Sequence, residues 1–268
     1  MHNPFLISQG LPGVYRRRIV LQADATRAFA ALEDDFHHLY VDIAHDGHRV
    51  IDITGKTVRI PRSTCPGAVQ KLLELKGRPL AEGYGGIDAR QQCTHLFDIA
   101  RLAMTHGLRG GRRQYDLTVP DAVDKASHPE LRRDGQSILE WDVKDRYITG
   151  PEPYAGSELF GKADWKHLDP ETLEAAMILR RAVWISYGRR GAAAEREARK
   201  QGVPVETIHH IMPTSLMGAC YSHQPGIYEE GVKYDDFTYD FTAHPDWLLA
   251  ELTTFDGGIP PGLLTATV

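Results

Sequence analysis

The chain has 268 residues, of which 42% are hydrophobic and 25% are charged, a composition typical of a globular protein that can bury a sizeable core. The net charge of −5 argues against a broad nucleic-acid-binding face, because such faces are basic. No run approaches the ~18 apolar residues of a membrane-spanning helix, so we expect no membrane partner either.

Three cysteines and the lack of an export signal in the first residues predict a reduced protein of the cytoplasm. The metal-binding patterns CxxC and HExxH do not occur. Neither do the nucleotide-binding patterns GxGxxG after a strand or GxxxxGK[ST]. We therefore expect no metal and no nucleotide cofactor.

The first third of the sequence predicts an antiparallel meander. Alternating apolar residues indicate strands over residues 15–23, 36–44 and 49–60, and Asp46-Gly47 is typical of a hairpin turn between the last two. Residues 25–32 are interpreted as a turn or a short helical piece. His45 and His48 fall at the hairpin tip, where we expect solvent exposure.

Two helices follow, joined by a glycine-rich loop that carries Tyr84. Pro66 favours the first helical position, so Cys65 is the predicted N-cap of a helix over residues 66–76, with Gly77 after its end. Asp88 and Gln91 predict a capping box at the start of a second helix over residues 89–106.

The second half of the sequence predicts a mixture of strands and helices. Strands are expected over residues 113–119 and 137–148, and helices over residues 170–188 and 192–200. Residues 226–268 form a loop-rich C-terminal extension. The order of elements favours an α+β fold, an antiparallel sheet packed with several helices in a single compact unit over residues 1–268.

Cys65 is the first candidate for chemistry. A thiol at a helix N-terminus has a lowered pKa, and Arg59 and Arg62 would lower it further. The same backbone N–H groups could instead hold a carboxylate or phosphate, or the turn could simply begin a helix. We favour anion binding over covalent catalysis, because no histidine lies locally to activate the thiol.

His95 is the second candidate. It shares a helical stripe with Ile99, Leu102 and His106, so it is either a core residue or a general base, and its side-chain partner could be Asp98, Thr94 or a group on a strand. Three further residues complete the predicted substrate-binding set with Arg59, Arg62 and Tyr84: they are Arg90, Tyr221 and His223. Cys220 and His223 lie close in sequence, but neighbours along a chain rarely form a nucleophile pair.

The motif CPGA at residues 65–68, the motif CTHL at residues 93–96 and the later GACYSHQP segment resemble a bacterial family of unknown function, DUF2889. The resemblance covers roughly residues 14–225. Genes of this family are associated with the catabolism of aromatic compounds. The resemblance therefore implies a cofactor-independent lyase that breaks a carbon–carbon bond of a phenolic substrate, with loss of formaldehyde or CO₂.

Such chemistry needs a base, an anion-stabilising group and a dry aromatic pocket. The alternative is a non-catalytic binding or regulatory module that holds a small anionic or aromatic ligand at the same residues. The exposed hairpin edge is also compatible with a homodimer.

Overall fold

The computed structural model describes residues 12–81, 85–203 and 217–252. Its largest element is a seven-stranded sheet in which all neighbouring strands are antiparallel. From one edge to the other its strands are β4 (Val50–Arg59), β3 (His38–His45), β2 (Arg27–Asp34), β1 (Val14–Ala23), β5 (Gly111–Pro120), β7 (Glu130–Arg133) and β8 (Gln136–Glu140). The predicted α+β fold in one compact unit is confirmed.

The first four strands form the predicted meander, with one correction. The interpretation of residues 25–32 as a turn or helical piece is wrong, because β2 pairs along its length with β1 and β3. Its alternate residues Ala28 and Ala30 face one buried layer, and Phe29 and Ala31 face another. Small residues fit here because both faces of this strand are covered.

Two helices pack on one face of the sheet. Helix α2 (Thr94–Gly107) lies against β1, β2 and β3, and helix α3 (Pro170–Ser186) lies against β5, β7 and β8. Helix α2 begins five residues later than predicted, because Gln92 and Cys93 are extended. The predicted Asp88 cap instead begins a separate 3₁₀ turn, Ala89–Gln91.

The helix predicted over residues 66–76 is a broken helical run. A 3₁₀ turn, Cys65–Gly67, precedes α1 (Ala68–Lys71), and a second 3₁₀ turn, Leu72–Leu75, follows it. The N-cap position is Thr64, so the prediction that Cys65 is the N-cap is wrong. Gly77 ends the run with a φ of +75°, as predicted.

The second half contains smaller elements. The predicted strand over residues 137–148 is interrupted, because Asp145 turns the chain with a φ of +56°. The pieces after β8 join a three-stranded sheet of β6 (Ala126–Ser127), β9 (Asp142–Lys144) and β10 (Tyr147–Gly150). Helices α4 (Gly188–Lys200) and α5 (Ile227–Glu230) complete the set used below.

The C-terminal segment covers the other face of the large sheet. Leu249 and Leu252 pack on Val20, Phe29 and Ala31 of β1 and β2. The predicted C-terminal extension is therefore, up to residue 252, a layer of the same fold. None of the helices within the described ranges has the length and apolar character needed to cross a bilayer.

The hairpin tip differs from the prediction at one residue. His48 is exposed as expected, but His45 is buried, at 4% exposure. The end of α2 explains this, because Gly107 lies against the His45 ring, where a Cβ would come within 3.2 Å of Nε2. The glycine therefore permits the close approach of helix and hairpin.

Candidate functional site

The turn between β2 and β3 builds a histidine cluster, which we define as Asp34, His37 and His95. The turn is closed by the Asp34 N–H, which donates to the His37 carbonyl at 2.8 Å. Asp34 Oδ1 accepts from the backbone N–H groups of Phe36 at 2.8 Å and His37 at 2.7 Å, and lies 3.1 Å from His37 Nδ1. The turn thus fixes the carboxylate against the imidazole.

His95 reaches the same place from the first turn of α2. Its ring stacks on that of His37, with centroids 3.7 Å apart and an angle of 27° between the planes. Its Nε2 is buried and has no hydrogen-bond partner among the described residues. Burial, followed by the charges of His37 and Arg17, lowers the pKa of His95 well below 6.5, so this imidazole is neutral near pH 7.

Asp34 is ionised despite its burial. Burial alone would raise the pKa of Asp34, but the charges of Arg17 and His37 hold that pKa well below its usual value. Arg17 Nη2 lies 2.6 Å from Asp34 Oδ2, and the Tyr15 hydroxyl donates to the same oxygen at 2.8 Å. In the neutral tautomer of His37 whose Nδ1–H donates to this carboxylate, the lone pair of the ring is on Nε2.

A ligand atom from each member of the histidine cluster lies within 4.8 Å of the others, so a metal ion has to be considered. The donor set does not suit a cation. Six hydrogen-bonding contacts already surround the Asp34 carboxylate, three of them at Oδ2 from Tyr15 and Arg17. The buried guanidinium would also repel a cation.

A second group with metal-ligand spacing is Glu33, His38 and Glu251. His38 lies between the two carboxylates, with Nδ1 3.6 Å from Glu33 and Nε2 3.0 Å from Glu251. Arg59 also pairs with Glu33 at 3.1 Å. These contacts bind the C-terminal segment to the sheet, and each nitrogen of the imidazole already faces a carboxylate.

The predicted residues around Cys65 converge at a second place, the cysteine junction, defined as Arg62, Cys65, Cys93, Cys220 and His223. Three contacts assemble it. Tyr221 N–H donates to the Gln92 carbonyl at 2.9 Å, and the Ser222 hydroxyl donates to Cys65 Sγ at 3.3 Å. Cys220 Sγ lies 3.1 Å from His223 Nδ1. These two residues therefore do contact each other, although a pair between such near neighbours was not expected from the sequence.

The thiols of the junction are protonated at neutral pH. Burial raises the pKa of Cys65 and of Cys93, and it raises that of Cys220 to about 11. The expected lowering of the Cys65 pKa is therefore wrong, because burial outweighs the Ser222 hydrogen bond and the Arg62 charge. Burial, followed by the charges of Arg62 and Lys233, lowers the pKa of His223 to about 4.

Arg62 is the cation of the junction. Its Nη2 donates to the carbonyls of Tyr228 at 2.6 Å and Gly231 at 2.7 Å, and its guanidinium lies 4.1 Å from the centroid of the Tyr228 ring. The predicted Tyr221 packs against Gly67, where a Cβ would lie 2.5 Å from the Tyr221 hydroxyl.

The remaining predicted residues lie outside both groups or at their margins. Asp98 lies on the same helix as His95 and accepts a hydrogen bond from Arg181 Nε at 2.7 Å. Arg59 Nη2 donates to the Asp34 backbone carbonyl at 2.6 Å, so it contacts the backbone of the histidine cluster. Arg90 is exposed and pairs with Asp88 at 3.3 Å. Tyr84 lies outside the described residues.

The first turn of α2 links the two groups, since Cys93 belongs to the junction and His95 to the histidine cluster. Asp34, His37 and Arg17 were not selected from the sequence. The available signal was the spacing Asp-x-x-His in residues 34–37, which places a carboxylate and an imidazole on opposite sides of a tight turn.

Two surface clefts lie elsewhere. One, of about 330 Å³, runs between α4 and residues 233–238 and is lined by Glu195, Arg199 and Lys233 among others. The other, of about 440 Å³, is lined by acidic residues and Trp141. Neither contacts His95 or Cys65. Solvent reaches the histidine cluster through His37, whose side chain is 13% exposed.

A comparison with protein-family models gives no match to this chain, and a comparison with curated proteins gives none either. The similarity of the CPGA and CTHL segments to DUF2889 therefore stays a prediction from the sequence.

Proposed function

We propose that the protein is a small-molecule lyase that cleaves a carbon–carbon bond of a phenolic catabolic intermediate, with the histidine cluster as its proton-transfer centre. The observation that supports this most is the Asp34–His37 contact of 3.1 Å, with the neutral His95 ring stacked on His37. An imidazole held by a buried carboxylate at Nδ1 has an oriented, basic Nε2.

The sequence favours His95 as the base, whereas we assign that role to His37. His37 has the carboxylate partner and the access to solvent, whereas His95 is 7% exposed and has no carboxylate bonded to it among the described contacts. His95 positions His37 by stacking on one face of its ring.

A hydroxymethyl substrate would react in one proton-transfer cycle at His37. His37 Nε2 takes the hydroxyl proton, the carbon–carbon bond breaks, and formaldehyde leaves. The electron pair stays on the carbon next to the aromatic ring, which then takes the proton back from His37. The reaction is R–CH₂OH → R–H + CH₂O, and it consumes neither oxidant nor reductant. A carboxylated substrate would release CO₂ and take one proton.

The test is a product assay with matched histidine variants. The parent protein, His37→Gln and His48→Gln are incubated with phenolic dimers that carry a hydroxymethyl group, and formaldehyde is quantified by NMR. We expect release by the parent and by His48→Gln, which changes an exposed histidine. His37→Gln should be at least about 100-fold slower, the usual contribution of a general base. Equal rates for the two variants would remove His37 from the mechanism.

The second candidate function is a non-catalytic module that binds a small anion. Its support is the cysteine junction, where a buried arginine stands among protonated thiols rather than activated ones. The two functions differ in one observable, because both predict ligand binding and only the lyase predicts a product. For either function we propose a cytoplasmic location, where the three free cysteines would stay reduced.

A further inference from the structure

Strand β4 forms an open edge of the large sheet. Among the described residues only β3 pairs with residues 52–57 of this strand, which we define as the free edge. Before this stretch the edge is closed, because Val50 N–H donates to the Arg78 carbonyl at 3.0 Å and the Val50 carbonyl accepts from Gly77 N–H at 2.8 Å. A strand edge without a neighbour presents backbone donors and acceptors to which another strand can bind.

The hydrogen bonds of β3 determine which peptide groups of the free edge point outward. His45 N–H donates to the Thr26 carbonyl at 2.8 Å, so the odd-numbered residues of β3 face β2 and the even-numbered ones face β4. Between residues 40 and 44, the even-numbered residues of β3 lie opposite even-numbered residues of β4. The outward peptide groups therefore belong to the odd-numbered residues of the free edge, which are Ile53, Gly55 and Thr57.

A bulge lies at each end of the free edge. The register between β3 and β4 shifts at both ends, where Ile51 and Val58 are the extra residues. Both side chains are exposed, at 55% and 48%, and Leu73 of the 3₁₀ turn that contacts β4 is 44% exposed. A second strand at this edge would remove part of this apolar surface from water, which favours association.

The free edge is complementary to itself. When two copies run antiparallel about a two-fold axis at Thr54, Ile53 of each copy lies opposite Gly55 of the other, and their outward peptide groups form hydrogen-bonded pairs. Asp52 of each copy then lies opposite Lys56 of the other. Shifting the copies by two residues in either direction breaks both of these charge pairs, so the charges favour one register.

The charged side chains of the free edge are accessible to a second copy. A Cβ on Gly55 would lie 3.1 Å from Leu72, so Gly55 faces the helical run and alternation places Asp52 and Lys56 on the opposite face. Lys56 is exposed, and the Asp52 side chain is 50% exposed and pairs with Lys76 at 2.9 Å. A carboxylate accepts from more than one donor, so Asp52 can pair with both lysines. Unlike charges meet when this strand pairs with itself, which identifies a second copy of the chain as the partner.

We propose that the protein forms a two-fold symmetric dimer in which β4 pairs antiparallel with β4 of a second copy, centred on Thr54. The outward peptide groups of Ile53 and Gly55 would gain hydrogen-bond partners, and the large sheets of the two copies would become one continuous sheet. The dimer does not depend on the proposed lyase activity, because no member of the histidine cluster lies in β4. The dimer and the lyase therefore stand or fall separately.

The mass of the full chain in solution is the first test. Sedimentation equilibrium at pH 7, at concentrations up to about 1 mM, should give a species of twice the chain mass. A monomer over the whole range would overturn the proposal. A higher oligomer would overturn it as well, because a two-fold axis at β4 closes the assembly at two copies.

Charge reversal tests the register. Asp52→Lys and Lys56→Asp each place like charges opposite one another, so either variant alone should dimerise at least tenfold more weakly than the parent. An equimolar mixture of the two variants should regain dimers, because both charge pairs are unlike in the mixed dimer. Parental association of either variant alone, or a mixture that associates no more tightly than its components, would overturn the assignment. Both side chains are accessible, so neither substitution removes a buried contact.

Glu140→Lys is the matched control for charge reversal. It changes an exposed residue of β8, which lies at the other edge of the same sheet. We expect this variant to dimerise like the parent. A loss equal to that of Asp52→Lys would contradict the assignment of the interface to β4.

A cysteine at the axis tests the symmetry. Thr54→Cys would bring two thiols into a non-hydrogen-bonded pair with Cα atoms about 4.5 Å apart, which is within the range of a disulfide. Oxidised glutathione, which is reduced as the two thiols form the disulfide, should therefore cross-link this variant, as seen by non-reducing electrophoresis. The two copies of Thr57→Cys would lie about 20 Å apart and should not cross-link. No cross-link in Thr54→Cys, or equal cross-linking of both variants, would contradict a two-fold axis at Thr54.

Discussion

The carboxylate of Asp34 contacts several other residues of the candidate site. These residues are Tyr15, Arg17 and His37, and Asp34 itself is fully buried. Arg17 is 2% exposed and forms its described ion pair with Asp34, so the two charges depend on each other. Removing one of a buried pair leaves the other charge without a counter-ion.

Asp34→Asn should therefore lower the free energy of unfolding by about 3–5 kcal/mol. Urea denaturation provides the measurement. The control is Asp116→Asn, which breaks the more accessible pair with Arg18, whose side chains are 16% and 23% exposed, and should cost about 1 kcal/mol or less. A similar loss in both variants would contradict the central place given to Asp34.

The sequence allowed His95 to be selected but not His37, for a physical reason. His95 stood out because it occupies an apolar helical stripe, which is a local pattern. The position of His37 depends on two tertiary features. The turn between the paired strands β2 and β3 places it beside Asp34, and helix α2 places His95 against its ring. Those are tertiary contacts, and no window of the sequence contains both histidines.

At the scale of elements, the cysteine junction depends on how closely residues 221–223 approach the start of the helical run at Cys65. Gly67 permits this approach. Its backbone, at φ −60° and ψ −24°, is helical, so any residue could adopt it. The restriction is the Tyr221 ring, whose hydroxyl would lie 2.5 Å from a Cβ at this position.

Gly67→Ala should displace the Tyr221 ring and separate these elements, at a cost of about 1–3 kcal/mol from overpacking. It should also expose Cys65, since Ser222 would move with Tyr221. Alkylation of each cysteine, followed by mass spectrometry, measures this. Faster modification of Cys65 is expected. Gly85→Ala is the control, because a Cβ there has no neighbour within 4 Å among the described residues, and equal Cys65 reactivity in both variants would contradict this role of Gly67.

Element boundaries were predictable where local chemistry decides them. Asp46-Gly47 was an expected turn, and Gly47 has a positive φ. Strand β2 was missed because its Ala30-Ala31 pair has no local preference for a strand. Its conformation follows from pairing with β1 on one side and β3 on the other, and from burial of both faces.

For the molecule as a whole, buried histidines make the stability depend on pH. The pKa of His223 falls from 6.5 to about 4 on folding, chiefly through burial and then through Arg62. Between these pH values the unfolded chain binds a proton that the folded chain does not. Stability should therefore decrease as the pH falls through this window, by at most about 1.4 kcal/mol per pH unit, less where solvent screens the group.

His223→Gln should flatten this dependence relative to the parent. Urea unfolding at pH 7 and pH 5 gives the comparison. The difference between variant and parent is the relevant quantity, because burial raises the pKa of Asp35 to about 8 and acts in the opposite sense over the same range. His48→Gln, at an exposed site, should leave the dependence unchanged. A parental pH dependence in His223→Gln would show that His223 is not the group responsible.

The central claim is that Asp34 holds His37 with its base at Nε2, and ¹⁵N NMR of the histidine rings tests it without a substrate. In the parent protein at pH 8, the account predicts a proton on His37 Nδ1 and an unprotonated Nε2, beside a neutral His95 ring. A proton on Nε2 of His37 at pH 8, with Nδ1 unprotonated, would contradict the claim.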